Sequence, residues 1–329
     1  MSEQARLVLR VDLEERYLAR LRAEFPQAEF VVCLTPESLR EALADATAII
    51  GGSSISAEEL AAAPRLRWIQ ATMVGAEGFL IAELRARPIV LTNFSGIPAP
   101  NIADHVLALV LAFARGLRPL LQAQDKHAWP EQDTHVWPGV GEPPTFEPTG
   151  QTLGLVGLGE IGRATADKAH ALGMRVLATD THREDQPPSV ERVLSPPQLP
   201  LLLAESDHVV LCLPLTDATR GLVGARELRA MRRSAYLYNV GRGEVVDQDA
   251  LIAALQAGVI AGAGLDVVTP EPLPPDSPLW DMPNVIITGH TATNTPLYWE
   301  RGIELLLDNV RRFLAGAELR NTVDTQAGF

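Results

Sequence analysis

Three ionisable residues, Arg242, Glu271 and His290, each follow an apolar run that is typical of a β-strand. Arg242 stands between two glycines, Glu271 lies in a loop that prolines restrict, and His290 comes shortly after the last of these runs. Ligands of open α/β sheets gather at the carboxyl ends of the strands. We therefore expect the three side chains to converge on one catalytic site.

These side-chain types suit chemistry at C2 of a small 2-oxo or 2-hydroxy carboxylic acid. The guanidinium of Arg242 can hold a carboxylate through paired hydrogen bonds. His290 can donate a proton in reduction and accept it in oxidation, and Glu271 can orient the ring and favour its protonated form. Each residue alone also has a structural interpretation, as an ion-pair partner, a solvated acid or a hydrogen-bonded histidine. Their joint placement favours catalysis.

Gly157, Gly159 and Gly162 form a glycine-rich turn between an apolar run and a helical segment. In such a turn the first glycine permits a tight bend, the second lets the backbone approach a pyrophosphate, and the third allows close packing of the helix. Asp180 ends the next apolar run, where a carboxylate binds the adenosine ribose and repels a 2′-phosphate. The alternative is a structural turn with a capping acid. The pattern predicts NAD rather than NADP, although Arg183 could neutralise an extra phosphate.

The composition argues against several classes of protein. A formal net charge of −13 disfavours nucleic acid and anionic membranes as partners. The longest apolar run, Val106–Ala114, is far shorter than the roughly 20 residues of a membrane span, and the first residues lack a signal-peptide pattern, so we expect a cytoplasmic protein. Cys33 and Cys212 are interpreted as buried thiols, and no histidine spacing indicates a metal site.

Short β-type runs alternate with helical segments, which predicts an α/β protein with parallel sheets, and the length of 329 residues predicts two domains. Prolines punctuate residues 119–150, which we interpret as an ordered loop. The candidate strands are Leu7–Val11, Phe30–Cys33, Ala48–Gly51, Trp68–Ala71, Ile89–Thr92, Leu153–Gly157, Arg175–Thr179, His208–Leu213, Ala235–Val240, Gly262–Val267 and Val285–Thr288. Helices are expected at Ser38–Asp45, at Ala57–Ala63, through Arg163–Leu172 and at about Pro296–Ala315.

Residues 97–101, which are rich in proline and end in a helix-capping asparagine, predict a domain crossing and a helix that runs to about Arg115. Because Val106–Ala114 is apolar on every side, we expect this helix to be buried all round, between domains or subunits, in a homodimer. Asp104 and His105 lie in its first turns, where capping or domain packing is the expected role.

These motifs, in this order, resemble the D-isomer-specific 2-hydroxyacid dehydrogenase family, in particular its glyoxylate and hydroxypyruvate reductases. The resemblance implies two Rossmann-like lobes with parallel sheets: a cofactor lobe of residues 98–294 inserted into a smaller, flavodoxin-like substrate lobe of residues 1–97 and 295–329. It also implies that substrate binds between the lobes. The residues that carry it are Gly157–Gly162 with Asp180, Asp207 through Thr219, Asn239–Gly243 with Val246-Asp247, Gly264–Pro272, and Pro283 through His290.

The resemblance further implies contacts for individual residues. By matching motif position, the substrate carboxylate would lie at the amides of Val74 and Gly75, the pyrophosphate at Glu160 and Ile161, the adenosine half at Pro214 and Thr219, and the nicotinamide amide at Val240 and Asp266. NAD is therefore the expected cofactor, and a small 2-oxo or 2-hydroxy acid is the expected substrate.

Several residues depart from the family pattern. Gly289 replaces a proline before the histidine, so we expect a looser approach of His290; Cys212 replaces a histidine, and Ala76-Glu77 alters the end of the substrate loop. Glu271, where the formate dehydrogenases have glutamine, argues against that branch. Glyoxylate or hydroxypyruvate is the first expectation for the substrate. Two alternatives stay open: a phosphite dehydrogenase-like enzyme, and a non-enzymatic NAD-sensing protein resembling transcriptional corepressors.

Overall fold

The structure is a computed structural model that describes residues 4–129, 145–181 and 186–327. The strands are β1 Ala5–Arg10, β2 Ala28–Val32, β3 Ala48–Gly51, β4 Trp68–Gln70, β5 Val90–Thr92, β6 Thr152–Val156, β7 Arg175–Thr179, β8 Arg192–Leu194, β9 His208–Leu211, β10 Tyr236–Asn239, β11 Gly262–Leu265 and β12 Val285–Ile287. The α-helices are α1 Glu15–Glu24, α2 Pro36–Leu43, α3 Ala57–Ala62, α4 Ala82–Arg85, α5 Ala99–Ala114, α6 Leu117–Asp125, α7 Glu160–Ala171, α8 Leu199–Glu205, α9 Ala225–Ala230, α10 Gln248–Gln256 and α11 Tyr298–Ala315.

The chain divides into two compact units, one made of Met1–Pro98 with Thr295–Phe329 and the other of Ala99–Asn294. The first unit has a parallel sheet of order β2-β1-β3-β4-β5, which is the flavodoxin-like order. The second has a parallel sheet of order β12-β11-β10-β9-β6-β7-β8, in which the order reverses between β6 and β9 as in a Rossmann fold. The predicted fold class, two α/β lobes with parallel sheets, is confirmed.

Helix α11 belongs to the core of the first unit although it lies at the other end of the sequence. Its buried face, which includes Ile303, Leu306 and Val310, packs on the same core as Trp68 and Phe94. Burying apolar side chains of this size stabilises a fold by roughly 1.5–3 kcal/mol each. The apolar residues of α11 recur with the 3.6-residue period of a helix, and this pattern determines which face of α11 packs against the sheet.

Each candidate strand of the sequence analysis is present, but the short edge strand β8 was not predicted. Arg192–Leu194 holds only three residues, with an arginine among them, and pairs with β7 alone. Periodicity cannot detect so short a segment. The expected loop at residues 119–150 also begins differently, because α6 extends to Asp125. Pro119 lies in the first turn of α6, where a missing amide hydrogen costs no helical bond.

The remainder of that expected loop falls largely on residues 130–144, which lie outside the described residues, as does Arg183. Helix α5 leaves one stripe exposed in this single chain, so its expected burial between subunits stays a prediction. Ala108 and Leu111 are exposed on one stripe of the helix, and Leu111 keeps 38% of its surface.

Among the described residues, none of the helices alone is long and apolar enough to cross a membrane. Helices α5 and α6 meet the length and composition criteria as a pair, but they are bent by 71° at the break between them.

Candidate active site

The three ionisable residues that the sequence analysis singled out follow three neighbouring strands. Arg242 follows β10, Glu271 lies in the loop after β11, and His290 follows β12. These strands are adjacent and parallel in the order β12-β11-β10, so their carboxyl ends share one edge of the sheet. Ligands of open parallel sheets bind at this edge.

His290 and Glu271 form a hydrogen-bonded pair. Nδ1 of His290 donates to Oε2 of Glu271 at 2.8 Å, and Oε1 of Glu271 accepts from the amide of Val268 at 3.2 Å. The side chains are 45% and 37% exposed, so the pair can be reached from solvent. Within the described residues Nε2 of His290 has no partner. The ring is thus oriented through one nitrogen and presents the other, as a general acid or base requires.

The backbone that carries His290 is in the left-handed region. Gly289 has φ +62° and His290 has φ +59°. A non-glycine residue there costs on the order of 1–3 kcal/mol and persists only when its surroundings hold it. The amide of His290 donates to the carbonyl of Asp266 at 2.6 Å, and the Asp266 carboxylate accepts from the amides of Thr291 (2.9 Å) and Ala292 (3.1 Å). Asp266 therefore holds the loop on both sides of the histidine.

The turn that carries Arg242 is shaped by glycines and by a buried asparagine. Asn239 donates from Nδ2 to the carbonyl of Arg242 at 2.9 Å and accepts from the amide of Gly241 at 3.1 Å. A Cβ on Gly243 would lie 2.0 Å from the carbonyl oxygen of Val268. Only glycine permits this approach. The Arg242 turn and the loop leading to Glu271 are therefore in direct contact.

A second side chain fixes the Glu271 loop. The amide of Thr269 donates to Oε1 of Gln248 at 2.9 Å, and Nε2 of Gln248 donates back to the carbonyl of Thr269 at 2.5 Å. The sequence analysis identified neither Asn239 nor Gln248 as a functional residue. Asn239 lies in the motif Asn239–Gly243, three residues before Arg242, so its position in the sequence was a usable signal. No sequence motif pointed to Gln248.

The glycine-rich turn has the geometry that phosphate binding needs. Gly157 has φ +101°, and a Cβ on Gly162 would lie 2.4 Å from the carbonyl oxygen of Gly157. By contrast, a Cβ on Gly159 would meet nothing within 4 Å. Within the described residues no side chain caps α7, so its first amides stay available to an anion. Glu160 is exposed and Ile161 is half-buried in the same first turn.

Asp180 lies at the end of β7, beside this turn. Its Oδ2 accepts from the amide of Leu158 at 2.8 Å, so the carboxylate adjoins the middle of the glycine turn. Thr219 is engaged locally, because its hydroxyl donates to the carbonyl of Pro214 at 2.7 Å and accepts from the amide of Thr216. Pro214 itself is exposed.

Val240 and Asp266, the two residues expected beside the nicotinamide amide, are both buried. The amide of Val240 donates to the carbonyl of Leu211 at 3.2 Å, which ties the end of β10 to β9. The Asp266 carboxylate is engaged by its own loop, as described above. Both residues thus brace the edge that carries Arg242 and His290.

The loop at Val74 and Gly75, in the first unit, is anchored through its carbonyls. Within the described residues the amides of Val74 and Gly75 donate to no acceptor. Free adjacent amides are suited to a carboxylate. The three anchored carbonyls are those of Thr72, which accepts from Oη of Tyr298 at 2.9 Å, Met73, from the amide of Phe94 at 3.0 Å, and Val74, from Nδ2 of Asn93 at 2.8 Å.

No group of three or more metal-ligating side chains is present in the ranges that the structure describes. The expectation of a metal-free site stays a prediction.

Comparison with known proteins identifies the family of this fold and site. Residues 107–292 match the model described as D-isomer specific 2-hydroxyacid dehydrogenase, NAD binding domain. A glyoxylate/hydroxypyruvate reductase B of Citrobacter koseri is 35% identical over 325 residues, which cover 97% of this chain and 98% of that relative. The chain belongs to the D-isomer specific 2-hydroxyacid dehydrogenase family.

Two further proteins are similar to this dehydrogenase in sequence or in structure. A glyoxylate reductase of Korarchaeum cryptofilum is 38% identical over 278 residues, covering 83% of this chain and 80% of that protein. A crystal structure of a D-isomer specific 2-hydroxyacid dehydrogenase from Xanthobacter autotrophicus Py2, in complex with NADPH and MES, has a TM-score of 0.82 and 28% identity and covers 99% of this chain and 100% of that one. The chain is thus an oxidoreductase with a nicotinamide dinucleotide-binding domain.

Two of the family departures have visible structural settings in this dehydrogenase. Gly289 has φ +62°, a backbone conformation that proline cannot adopt, so a proline at this position would require a different loop conformation before His290. Cys212 is only partly buried, but its Sγ donates to the carbonyl of Gly157 at 3.0 Å, and desolvation raises the pKa of this thiol to about 12. Cys33 is buried, as expected, and burial raises the pKa of its thiol as well. A raised pKa favours the protonated form of each thiol, which is a weaker nucleophile than the thiolate.

Proposed function

We propose that this dehydrogenase uses NAD(H) to interconvert a small 2-oxo acid and its D-2-hydroxy acid, with glyoxylate or hydroxypyruvate as the first expected substrate. The observation that carries the proposal is the 2.8 Å bond between Nδ1 of His290 and Glu271, which leaves Nε2 for proton transfer. The glyoxylate and hydroxypyruvate reductases among the relatives support the substrate class.

The proposed roles follow from the donors and acceptors of each side chain. His290 donates a proton from Nε2 to the C2 oxygen in reduction and removes it in oxidation. Glu271 holds the opposite nitrogen, which fixes the ring orientation and stabilises the charged imidazolium, as a carboxylate does in hydrolytic triads. Arg242 binds the substrate carboxylate through paired hydrogen bonds. The amides of Val74 and Gly75 are proposed to bind a carboxylate as well.

The dinucleotide fits the uncapped start of α7 and the open space at Gly159. When bound, the nicotinamide supplies or accepts the hydride. We propose that the amides of Glu160 and Ile161 contact the pyrophosphate and that Asp180 binds the adenosine ribose, which favours NAD over NADP. Pro214 and Thr219 near the adenosine, and Val240 and Asp266 near the nicotinamide amide, are part of the same proposal.

The test is NADH oxidation, followed by absorbance, with a panel of 2-oxo acids, and NAD reduction with D-2-hydroxy acids and with phosphite. His290→Gln should lower kcat by about 10²- to 10⁴-fold, the usual contribution of a general acid. His170→Gln is a matched control, because His170 is exposed on α7 in the same unit. Tight NADH binding without turnover of any acid would overturn the proposal in favour of an NAD-sensing protein. Turnover of phosphite alone would favour the phosphite dehydrogenase alternative.

The homodimer and the cytoplasmic location expected from the sequence stay predictions. Four large apolar side chains that the structure leaves exposed are compatible with association: Leu111, Leu117, Leu121 and Trp280. Light scattering of the purified protein measures the mass directly, and a mass of one chain at micromolar concentration would contradict the dimer.

A further inference from the structure

His105 does not cap α5; it is the first member of a hydrogen-bond chain. Its Nε2 lies 2.9 Å from Oγ1 of Thr288, although 183 residues separate them in sequence. Oγ1 of Thr288 lies 2.6 Å from Oδ1 of Asp266. All three residues belong to the unit Ala99–Asn294. The sequence analysis had placed His105 in a capping or packing role.

The chemistry of the three groups fixes the direction of each bond. Both oxygens of the Asp266 side chain accept backbone amide hydrogen bonds, so this group acts as an acceptor and the hydroxyl of Thr288 donates to it. That hydroxyl has one hydrogen, and its oxygen can therefore only accept from the Nε2–H of His105. The chain runs from His105 through Thr288 to Asp266, and each bond removes a rotational alternative of the next group.

Asp266 transmits this order to the catalytic loop. The oxygen that accepts from Thr288, Oδ1, also accepts from the amide of Thr291 at 2.9 Å, and Oδ2 accepts from the amide of Ala292. The carbonyl of Asp266 accepts from the amide of His290. Asp266 keeps only 3% of its surface exposed, so water does not compete for these bonds.

We propose that His105 is a positioning residue for His290, acting through Thr288 and Asp266. This proposal rests on the proposed function, in which His290 transfers the proton. The left-handed backbone at His290 is held by the loop that Asp266 binds, so loosening the carboxylate lets the ring leave the orientation that Glu271 sets. His105 touches neither substrate nor cofactor in this role.

Paired variants test each link. Thr288→Val removes the hydroxyl at nearly constant volume, Thr288→Ser keeps it, and His105→Leu removes the first donor. We expect kcat to fall about 10- to 100-fold in Thr288→Val and His105→Leu, the scale of a small misplacement at the reacting centre. Thr288→Ser should stay near wild type, and the double variant should lose no more than the larger single loss.

Further readouts distinguish positioning from a general loss of structure. The NADH dissociation constant should change by a smaller factor than kcat, because the pyrophosphate and adenosine contacts proposed for NADH do not involve Asp266. The primary isotope effect with deuterated NADH should rise because proton and hydride transfer become slower than product release. His170→Leu, at an exposed histidine of α7, controls for loss of a ring. If His105→Leu does not fold, His105→Gln keeps a donor there and should restore folding and activity.

An activity-independent measurement separates this proposal from the proposed function. In ¹⁵N spectra of the histidines, the His290 signal should shift or broaden in Thr288→Val and not in Thr288→Ser. If the wild-type protein turns over no 2-oxo acid, the proposed function fails and this spectrum still decides the role of His105. Folded Thr288→Val and His105→Leu proteins with wild-type kcat and an unchanged His290 signal would overturn the proposal. A loss of kcat in Thr288→Ser as large as that in Thr288→Val would overturn it as well.

Discussion

Tyr298 donates a hydrogen bond from its hydroxyl to the carbonyl of Thr72 at 2.9 Å, across 226 residues of sequence. Burial raises the pKa of Tyr298 to about 12, so this hydroxyl stays protonated and donating at neutral pH. The bond anchors the loop of Val74 and Gly75 from its carbonyl side. Among the described residues the amides of Val74 and Gly75 donate to no acceptor, so this part of the loop is held through its carbonyl groups.

Replacing Tyr298 by phenylalanine should weaken substrate binding and leave cofactor binding unchanged. The ring keeps its packing against Phe94 and Trp299, whose centroids lie 6.1 and 6.2 Å away, and only the hydrogen bond is lost. Such a bond contributes roughly 0.5–1.5 kcal/mol, which corresponds to a KM for the 2-oxo acid that is up to about tenfold higher. Steady-state kinetics with Tyr17→Phe as control measure it; an unchanged KM would contradict the anchoring role.

Arg242→Ala should lower kcat/KM for the 2-oxo acid by about 100-fold, because hydrogen bonds to a charged group contribute roughly 1.5–3 kcal/mol. NADH affinity, measured by fluorescence titration, should stay near wild type, since the lost contact is to substrate. Arg242→Lys keeps the charge without the paired geometry, and its kcat/KM should lie between those of the wild type and Arg242→Ala. Arg226→Ala, at an exposed arginine of α9, is the control. A large drop in NADH affinity alone would refute the assigned role.

Substitution of Asp180 should narrow the preference for NADH over NADPH. Because Oδ2 of Asp180 also accepts from the amide of Leu158, Asp180→Ala changes both the charge and the turn. Asp180→Asn keeps an acceptor oxygen for that amide and removes only the charge that repels a 2′-phosphate. The ratio of kcat/KM for the two cofactors should fall in both variants. An unchanged ratio would mean that another residue sets the preference.

The sequence predicted the strands whose carboxyl ends carry the candidate site, because the signals of these strands are local. Buried parallel strands are continuous apolar runs, and the glycine-rich turn has a fixed spacing, so the positions of Arg242, His290 and Asp180 at strand ends followed directly. The same reasoning does not decide which side chains meet across the loops.

The side-chain partners were not predictable for a physical reason. Gln248 bonds to Thr269 in the loop after β11, which packs on Gly243, and His105 bonds to Thr288 across 183 residues. Such contacts depend on the approach of loops in three dimensions, which periodicity does not encode.

Alanine at two glycines of the glycine-rich turn should affect two different properties, the stability of the fold at one position and NADH binding at the other. A Cβ on Gly162 would lie 2.4 Å from a backbone oxygen, so Gly162→Ala should destabilise the protein by about 1–3 kcal/mol. Gly159 has open space around it, so Gly159→Ala should fold normally and lose NADH affinity, because the methyl group would occupy the space proposed for the pyrophosphate. Thermal unfolding and NADH titration of both variants measure this. Normal NADH affinity in Gly159→Ala would contradict the assigned binding surface.

His208 is a buried histidine at the start of β9, and its environment predicts acid sensitivity. Nε2 lies 2.7 Å from Oε1 of Gln151 and Nδ1 lies 2.9 Å from the hydroxyl of Tyr238, so a neutral ring donates to the amide oxygen and accepts from the tyrosine. Desolvation lowers the pKa of His208 from 6.5 to about 4. The folded state therefore resists protonation of this ring.

The sign of the pH dependence follows from this lowered pKa. Between about pH 6.5 and 4 the unfolded chain holds a proton on His208 that the folded chain does not, so acid favours unfolding. As the pH is lowered from about 6.5 to 4, the free energy of unfolding should decrease by about 3 kcal/mol in total. Above pH 6.5, His208 should contribute no pH dependence. Urea unfolding at pH 7.5 and pH 5 should show a difference of about 2 kcal/mol from this residue alone.

His208→Gln isolates that contribution, because glutamine offers a donor and an acceptor but does not titrate. The variant should be less stable than wild type at pH 7.5, since the fit to Gln151 and Tyr238 is imperfect, and the deficit should shrink or vanish at pH 5. His170→Gln removes an exposed histidine and should keep the full acid dependence of the wild type. A deficit of equal size at both pH values would show that His208 is protonated equally in the folded and unfolded states, contrary to its burial and its two neutral partners.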